Sequence, residues 1–200
     1  MDVPPLLRLT LRDGTTVGLR PVTPDDAGRL VRGFEALSLE SRRFRFLSPL
    51  SRLTDEQAQY LASVDQRDHV AWGAVPLHSP EADGLGVGRM VRLPRETAVA
   101  EFSLVVTDDA QGSGLGSMLF ALLVALAPSR GIDTLRGYVA ADNVRMTRWM
   151  RRLGATAHAD ASEITFDLPT DLARLSDALR REVHQIREAA RKQGIPLHAS

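Results

Sequence analysis

The chain has 200 residues, of which 44% are apolar, and its 25 basic and 25 acidic residues leave no formal net charge. This length allows one self-sufficient core with an appendage, and the absence of cysteine excludes a disulfide scaffold, a thiolate nucleophile and the usual structural zinc sites. Balanced charge, no apolar run of membrane length and no signal-peptide pattern over residues 1–10 predict a cytoplasmic protein with neither nucleic acid nor a membrane as partner.

The first half of the chain predicts a hairpin, two helices and a second pair of strands. Asp13-Gly14 stands between two short apolar segments, as in a tight hairpin turn. Thr23 and Thr54 each precede acidic residues, and Pro24 follows Thr23, which is typical of helix starts. In chain order the predicted elements are strands Leu6–Leu11 and Thr16–Pro21, helices Pro24–Leu37 and Thr54–Val64, strands Val70–Val75 and Gly86–Leu93, and the polar loop His78–Gly84 between these last two strands.

An apolar strand, a glycine-rich loop and an apolar helix follow one another from Ala98 to Ala127. In the strand Ala98–Val106 the side chains alternate, so that Glu101, Ser103 and Val105 point to one face. The helix, Gly114–Ala127, has leucines at helical spacing until Pro128 ends the run. The elements predicted after it are strand Thr134–Val139, helix Asn143–Leu153 closed by Gly154, and strand Glu163–Leu168.

The loop between this strand and this helix has the features of a phosphate site. Gly112, Gly114 and Gly116 let the backbone approach a ligand closely, and the helix start presents unpaired N–H groups at the positive end of its dipole. An ATP-binding loop would need Gly-Lys-Ser/Thr, and a dinucleotide loop would need an acidic residue near Leu135, where Arg136 stands. A plain glycine-rich turn is the remaining alternative.

The pattern Gln111-x-x-Gly114-x-Gly116, between a strand and an apolar helix, resembles the acyl-CoA loop of the GNAT N-acetyltransferases. The order of elements over residues 15–168 fits that fold, which implies an α/β (α+β) architecture with a central mixed twisted sheet flanked by helices. The segments LRDGTTVGLRPVTPDDAGRL and ADNVRMTRWMRRLGA carry the resemblance further. Within the superfamily, SLESRRFRF and AEFSLVV are similar to the Pat-type protein lysine acetyltransferases.

The resemblance implies acetyl-CoA as the co-substrate and no metal. It implies that the backbone of Leu104, Val105 and Val106 pairs with the pantetheine arm. Asn143 matches the asparagine with which the family contacts the CoA arm, although a residue at this position also suits an ordinary helix cap. The residues implied to cradle the diphosphate are Gln111, Gly112, Ser113, Gly114, Leu115, Gly116 and Ser117.

Glu101 is the predicted general base. A lysine amine has a pKa near 10.4, so a carboxylate beside it must take its proton as the new bond forms. Glu101 is the only ionisable residue in an apolar strand run, about 13 Å at strand rise from Val105, and it resembles the catalytic glutamate of the Pat-type enzymes. The alternative is a strand-edge glutamate paired with Arg89 or Arg92.

Other parts of the chemistry have less support in the sequence. A backbone N–H near Val106 is predicted to stabilise the developing oxyanion. Many GNAT enzymes place a proton-donating tyrosine seven residues after the helix asparagine, where this chain has Met150. The proton for the departing thiolate must then come from solvent or from another group.

Charged side chains before the central strand have two interpretations each. One interpretation is that a group of arginines contacts an acidic protein substrate or the CoA 3′-phosphate. The other is that they form a solvated helix face beside two phenylalanines. The arginines are Arg42, Arg43 and Arg45. His69 acts in the acceptor pocket, or it belongs to an ordinary polar surface. The histidines do not have the spacing of metal ligands.

Pro169 and Thr170 separate a predicted acetyltransferase domain, 1–168, from a helical extension, 169–200. The extension contains an amphipathic helix, Asp171–Gln193, whose narrow apolar stripe docks either on the body of the same chain or on another protein, including a second copy as a homodimer.

The predicted function is direct acetyl transfer to a protein lysine side chain. The alternatives are transfer to a small-molecule amine (a polyamine, an antibiotic or an amino acid) and a non-catalytic module that senses acetyl-CoA.

Overall fold

The computed structural model describes residues 5–47, 50–79, 82–160 and 162–197. Part of the predicted loop His78–Gly84, and the ends of the predicted domains 1–168 and 169–200, lie outside these residues. The described residues form eight strands and six α-helices: β1 Leu7–Thr10, β2 Thr16–Pro21, α1 Ala27–Glu35, α2 Leu39–Phe46, α3 Asp55–Ala62, β3 His69–Pro76, β4 Gly86–Leu93, β5 Glu96–Val106, α4 Leu115–Leu126, β6 Thr134–Ala140, α5 Val144–Leu153, β7 Thr156–Asp160, β8 Glu163–Pro169 and α6 Asp177–Lys192.

All eight strands belong to one mixed sheet with the order β1-β2-β3-β4-β5-β6-β8-β7. Neighbouring strands are antiparallel except for β5 and β6, which are parallel and are connected through α4. This architecture confirms the predicted mixed sheet flanked by helices. Strand β7 was not predicted, because all five of its residues are exposed and it lies at the sheet edge without an apolar alternation.

Helix α4 forms the centre of the core on one face of the sheet. Ten of its 12 residues are buried, because the helix packs against β4 and β5 on one side and against α6 on the other. The apolar stripe of α6 is also buried, and the buried residues of this stripe are Leu179, Val183, Ile186 and Ala190. The stripe therefore docks on the body of its own chain, which occupies the face that the predicted homodimer would have used.

Two predicted helices begin later in the structure than in the sequence analysis. The helix predicted from Pro24 starts as a short 3₁₀ turn and becomes α1 at Ala27. The helix predicted from Asp171 is divided in two: Asp171 caps a 3₁₀ turn, and Ser176 then caps α6 by accepting a hydrogen bond from the Leu179 N–H at 3.4 Å. Within the described ranges no helix has the combination of length and hydropathy that crossing a bilayer requires.

Strands β5 and β6 diverge along most of their length. They pair only at Val99↔Thr134, Ala100↔Leu135 and Glu101↔Arg136, although β5 continues to Val106. The ring of Phe102 lies where a Cβ on Gly137 would otherwise stand, so only glycine fits at that position of β6. Phe102 in turn packs on Phe120 of α4, with 4.8 Å between ring centroids. The Phe102 ring therefore covers Gly137 on the α4 face of the sheet, next to the point where the pairing of β5 and β6 ends.

Candidate active site

The gap between the diverging strands exposes hydrogen-bonding groups of the β5 backbone. The Thr107 N–H donates to the Leu85 carbonyl at 3.0 Å, on the β4 side of the strand. Because backbone direction alternates along an antiparallel pair, the N–H and C=O groups of Leu104 and Val106 point away from β4 and into the gap. The backbone of Val105 then faces β4, and its side chain lines a cavity on the opposite face of the sheet from α4.

The predicted phosphate loop follows directly at the end of β5. Gly112 and Gly114 have φ angles of 87° and 96°, a left-handed conformation that favours glycine. Ser113 Oγ donates to the Ala110 carbonyl at 2.7 Å. At the start of α4 the Ser113 Oγ also accepts from the Leu115 N–H at 3.3 Å, whereas the N–H groups of Gly116 and Ser117 have no acceptor among the described residues. These amides and the helix dipole form an arrangement suited to an anion.

Gln111 ties this loop to the elements around it. Its side-chain amide donates to the Val106 carbonyl at 3.3 Å and to Ser41 Oγ of α2 at 3.2 Å, and its oxygen accepts from Arg145 Nη1 of α5 at 2.9 Å. A second contact joins α2 to the other rim of the gap, where Arg43 pairs with Asp142 at 2.7 Å. Helix α2 is therefore bonded to both rims of the gap.

Asn143 caps α5. Its Oδ1 accepts from the Met146 N–H at 3.0 Å, as the capping alternative predicted. The side-chain NH₂ group has no acceptor within the described part of the chain, so it is available to a ligand. Met150, which stands in the place of the tyrosine of many GNAT enzymes, is fully buried and has no proton to donate.

Glu101 lies at the last paired position before the strands diverge. Within the described ranges its carboxylate has no ion-pair partner within 4.0 Å. The predicted alternative is not observed, because Arg92 pairs with Asp68 at 2.7 Å and Arg89 is bonded elsewhere. The side chain reaches solvent, yet partial burial raises the pKa of its carboxyl group, with a smaller contribution from Glu163 and an opposing one from Arg45. A free carboxylate with a raised pKa is suited to accept a proton.

The three arginines of α2 have different environments. Arg42 is structural, since its guanidinium donates to three backbone carbonyls and stacks on Phe34. Arg43 lies at the surface in its pair with Asp142. Arg45 turns inward toward Glu101, and burial lowers the pKa of its guanidinium. The solvated-face interpretation is therefore wrong for Arg45, because α2 packs on β5 with this residue on the packed side.

Arg89 and His69 form a pair that the sequence analysis did not find. Arg89 is only 5% exposed; one of its nitrogens donates to the Leu61 carbonyl at 2.7 Å, and another contacts His69 Nε2. Burial and the Arg89 charge lower the pKa of His69 to about 4, so the ring is neutral and accepts the hydrogen bond. Burial and the Arg45 charge lower the pKa of Arg89 to about 10. The signal in the sequence was an arginine inside a predicted apolar strand, which indicates a side chain that needs a partner.

Comparisons with known proteins agree with this architecture. A family model described as an acetyltransferase (GNAT) domain matches residues 16–156. The chain is 32% identical over 186 residues to the acetyltransferase Pat of Mycolicibacterium smegmatis, covering 91% of this chain and 54% of that protein, so it spans about half the length of this relative. It is 26% identical to an acetyltransferase of Pseudomonas aeruginosa, over 78% of this chain and 83% of that one. The crystal structure of the GNAT domain of S. lividans PAT superposes with a TM-score of 0.76 at 27% identity, covering 84% of this chain and 99% of that one.

Proposed function

The chain belongs to the GNAT acetyltransferase family, and from this premise we propose that it transfers acetyl from acetyl-CoA to the side-chain amine of a protein lysine by direct attack. One observation carries the proposal. The Glu101 carboxylate, which has no ion pair among the described residues, lies where the pairing of β5 and β6 ends. Strand β5 then continues into the loop before α4, where the N–H groups of Gly116 and Ser117 have no acceptor in the described part of the chain. The base and the phosphate loop therefore belong to one continuous strand–loop–helix unit.

The residues around the gap fit acetyl-CoA. The backbone groups of Leu104 and Val106 suit an amide-bearing arm, and the free amides at the start of α4 suit a diphosphate. Bound there, acetyl-CoA would supply an activated acetyl group as its thioester. The Val105 backbone, which the family resemblance assigned to this arm, faces β4, and its side chain lines the neighbouring cavity. The other residues that would hold the ligand are Gln111, Gly112, Ser113, Gly114, Leu115, Gly116, Ser117 and Asn143.

Glu101 would act on the acceptor amine. At neutral pH a lysine is almost entirely protonated, because its pKa is near 10.4. The Glu101 carboxylate would take the proton directly or through one water molecule, and the nearby positive charge of Arg45 helps to keep the carboxylate ionised before the transfer. The Val106 N–H, which points into the gap, would stabilise the negative charge that develops on the acyl oxygen.

An acceptor screen tests the proposal. The purified chain would be incubated with acetyl-CoA and, in parallel, with a whole-cell protein extract, lysine peptides, polyamines, aminoglycosides and free amino acids. We expect acetyl-lysine on proteins or peptides by mass spectrometry, with matching release of free CoA. Activity on a free amine, with unmodified protein lysines, would assign a small-molecule acetyltransferase instead. Acetyl-CoA binding without turnover on any acceptor would assign the sensing module.

A further inference from the structure

We propose that the cavity between helices α1 and α2 and the sheet is a subsite for a carboxylate of the acceptor, bound by Arg45 and Arg89 beside Glu101. This inference rests on the proposed function, because it specifies the acceptor of the same site. It predicts an acceptor amine that carries a carboxylate group close to the amine.

Glu101 does not line the cavity itself, but it lies on the same face of β5, two residues before Ser103, which does. Ser103 and Val105 line it, and both point to the face of Glu101, with Ser103 about 7 Å from Glu101 at strand rise. Apolar side chains of α1 and α2, including Phe34 and Phe46, close it on the other side. Its volume is about 100 Å³, which admits a carboxylate-sized group.

The charged side chains that line this cavity differ in whether they form an ion pair. They are four arginines and one aspartate: Arg20, Arg29, Arg45, Arg89 and Asp26. The aspartate is already engaged, because Asp26 accepts from Arg20 at 2.6 Å and from Arg29 at 3.4 Å. Within the part of the chain that the structure describes, Arg45 and Arg89 have no carboxylate within 4.0 Å. Arg89 is buried and Arg45 is half-buried, so two neighbouring cations that form no ion pair are costly even though the Glu101 charge acts on Arg45 from a greater distance. An anionic ligand would lower that cost.

Arg89 is held in place for such a contact. The Leu61 carbonyl and the neutral His69 ring accept from two of its nitrogens, and the His69 ring lies against Tyr60 with 5.4 Å between centroids. A guanidinium has five N–H donors, so these two bonds leave others for a ligand. Arg45 stacks on Phe46 at 4.8 Å and lies close enough to Arg89 for the two charges to repel. A carboxylate suits such a site, because it can accept from two donors at once.

This charge pattern discriminates among acceptors. A polyamine is disfavoured, because it would bring additional positive charge next to Arg45 and Arg89, which already repel each other. An amine with a carboxylate can place its amine at Glu101 and its carboxylate at the arginines. The carboxylate has two sources: an acidic side chain next to a lysine in a protein, or the carboxylate of a free amino acid.

Two pairs of acceptor analogues test the subsite without catalysis, because binding is measured with CoA, which has no acetyl group to transfer. One pair is a peptide with norleucine in place of the target lysine, flanked by glutamate or by glutamine; the other is free norleucine and its amide. In the presence of CoA, calorimetry should show that the acidic member of one pair binds about tenfold more tightly or better. Tighter binding of the acidic peptide would show that the acceptor carboxylate belongs to a protein. Tighter binding of free norleucine than of its amide would show that it belongs to a free amino acid. Equal affinities within both pairs would overturn the inference.

Variants locate the effect. Arg45→Gln and Arg89→Gln should remove the preference for the acidic member, whereas Arg174→Gln, at an exposed position, should retain it. Because Arg89 is buried, Arg89→Lys provides a second variant, and its point charge should weaken the preference several-fold. A preference that survives in Arg45→Gln and in a folded Arg89 variant would refute the assignment.

Turnover separates this inference from the proposed function. With lysine in place of norleucine, the acidic peptide should have the lower KM at a similar kcat. Turnover with equal KM for both peptides, and equal affinities, would refute the subsite and leave the proposed function standing. If the acidic analogue binds more tightly than its neutral partner but no amine is acetylated, the proposed function would be refuted and the subsite would stand.

Discussion

The two faces of the central sheet have opposite compositions around the same strand, β5. On one face α4 presents an apolar surface, and ten of its 12 residues are buried. On the other face Arg45, Arg89 and Glu101 lie under or beside α2, and among the described residues none of them has an ion pair within 4.0 Å. Apolar burial stabilises the folded chain, whereas unbalanced charge stabilises it only when a ligand supplies the missing partner. Substitutions should therefore separate stability from activity according to face.

The largest expected effect is on the charged face. Glu101→Gln keeps the shape of the side chain and removes the base, so we expect kcat to fall about 10²- to 10⁴-fold while the melting temperature and acetyl-CoA affinity stay unchanged. Steady-state kinetics, thermal melting and calorimetry measure the three quantities. Glu163→Gln, which removes a neighbouring acid, is the matched control and should retain activity. Equal turnover in wild type and Glu101→Gln would exclude Glu101 from the mechanism.

On the apolar face, Leu119→Ala should have the converse effect. Leu119 is fully buried and lies against Gly86 and Gly88 of β4, so its truncation leaves a cavity and should lower the free energy of unfolding by about 2–5 kcal/mol. Urea denaturation measures this as a lower midpoint with an unchanged slope. Leu39→Ala, at a residue 80% exposed, should change stability by less than about 0.5 kcal/mol. A kcat at low temperature that falls with Leu119→Ala would mean that the two faces are not separable.

The loop lies where the two faces meet, at the open end of the gap. Gly114→Glu would put a side chain and a negative charge where φ is 96°, so we expect acetyl-CoA to bind at least about a hundredfold more weakly. Calorimetry would show this against Gly28→Glu, the same substitution at an exposed helical glycine. Unchanged affinity in the Gly114 variant would refute the loop assignment.

The smallest effect concerns pH. The pKa of His69 is about 4 in the folded chain, below its unfolded value near 6.5, so between these values the unfolded chain binds more protons and stability falls on acidification. We expect wild type to lose about 1–2 kcal/mol more than His69→Gln between pH 7 and pH 4.5, less than the whole shift implies because the ring still touches solvent. Denaturant titrations at both pH values measure this difference. If both proteins lose the same free energy of unfolding, His69 is not the neutral acceptor of the Arg89 hydrogen bond.

The sequence was most informative where a local pattern determines the structure. The alternation in β5, the glycines after it and the leucines of α4 are short-range signals, and the structure confirms the elements they predicted. The start of α6 was misplaced because Asp171 and Ser176 are both good caps, and sequence pattern does not rank two caps five residues apart.

The charged face was harder to predict because it depends on long-range packing. An arginine on a helix is ordinarily solvated, so the inward direction of Arg45 follows only once the packing of α2 on β5 is known. The contacts of Arg89 with Leu61 and His69 span 28 and 20 residues of chain, beyond the reach of any periodicity. The proximity of Arg45 and Arg89 in the cavity therefore becomes evident only in the folded structure.

The early end of the β5–β6 pairing has a consequence for the thermodynamics of ligand binding. The two strands pair only as far as Glu101, although β5 continues to Val106, so the gap is already present in the folded chain. No hydrogen bonds between the strands need to be broken when a ligand binds. The free-energy cost of forming the open gap is incurred during folding. Affinity then reflects the contacts made, and association should proceed at a rate set by diffusion and orientation, without a slow opening step.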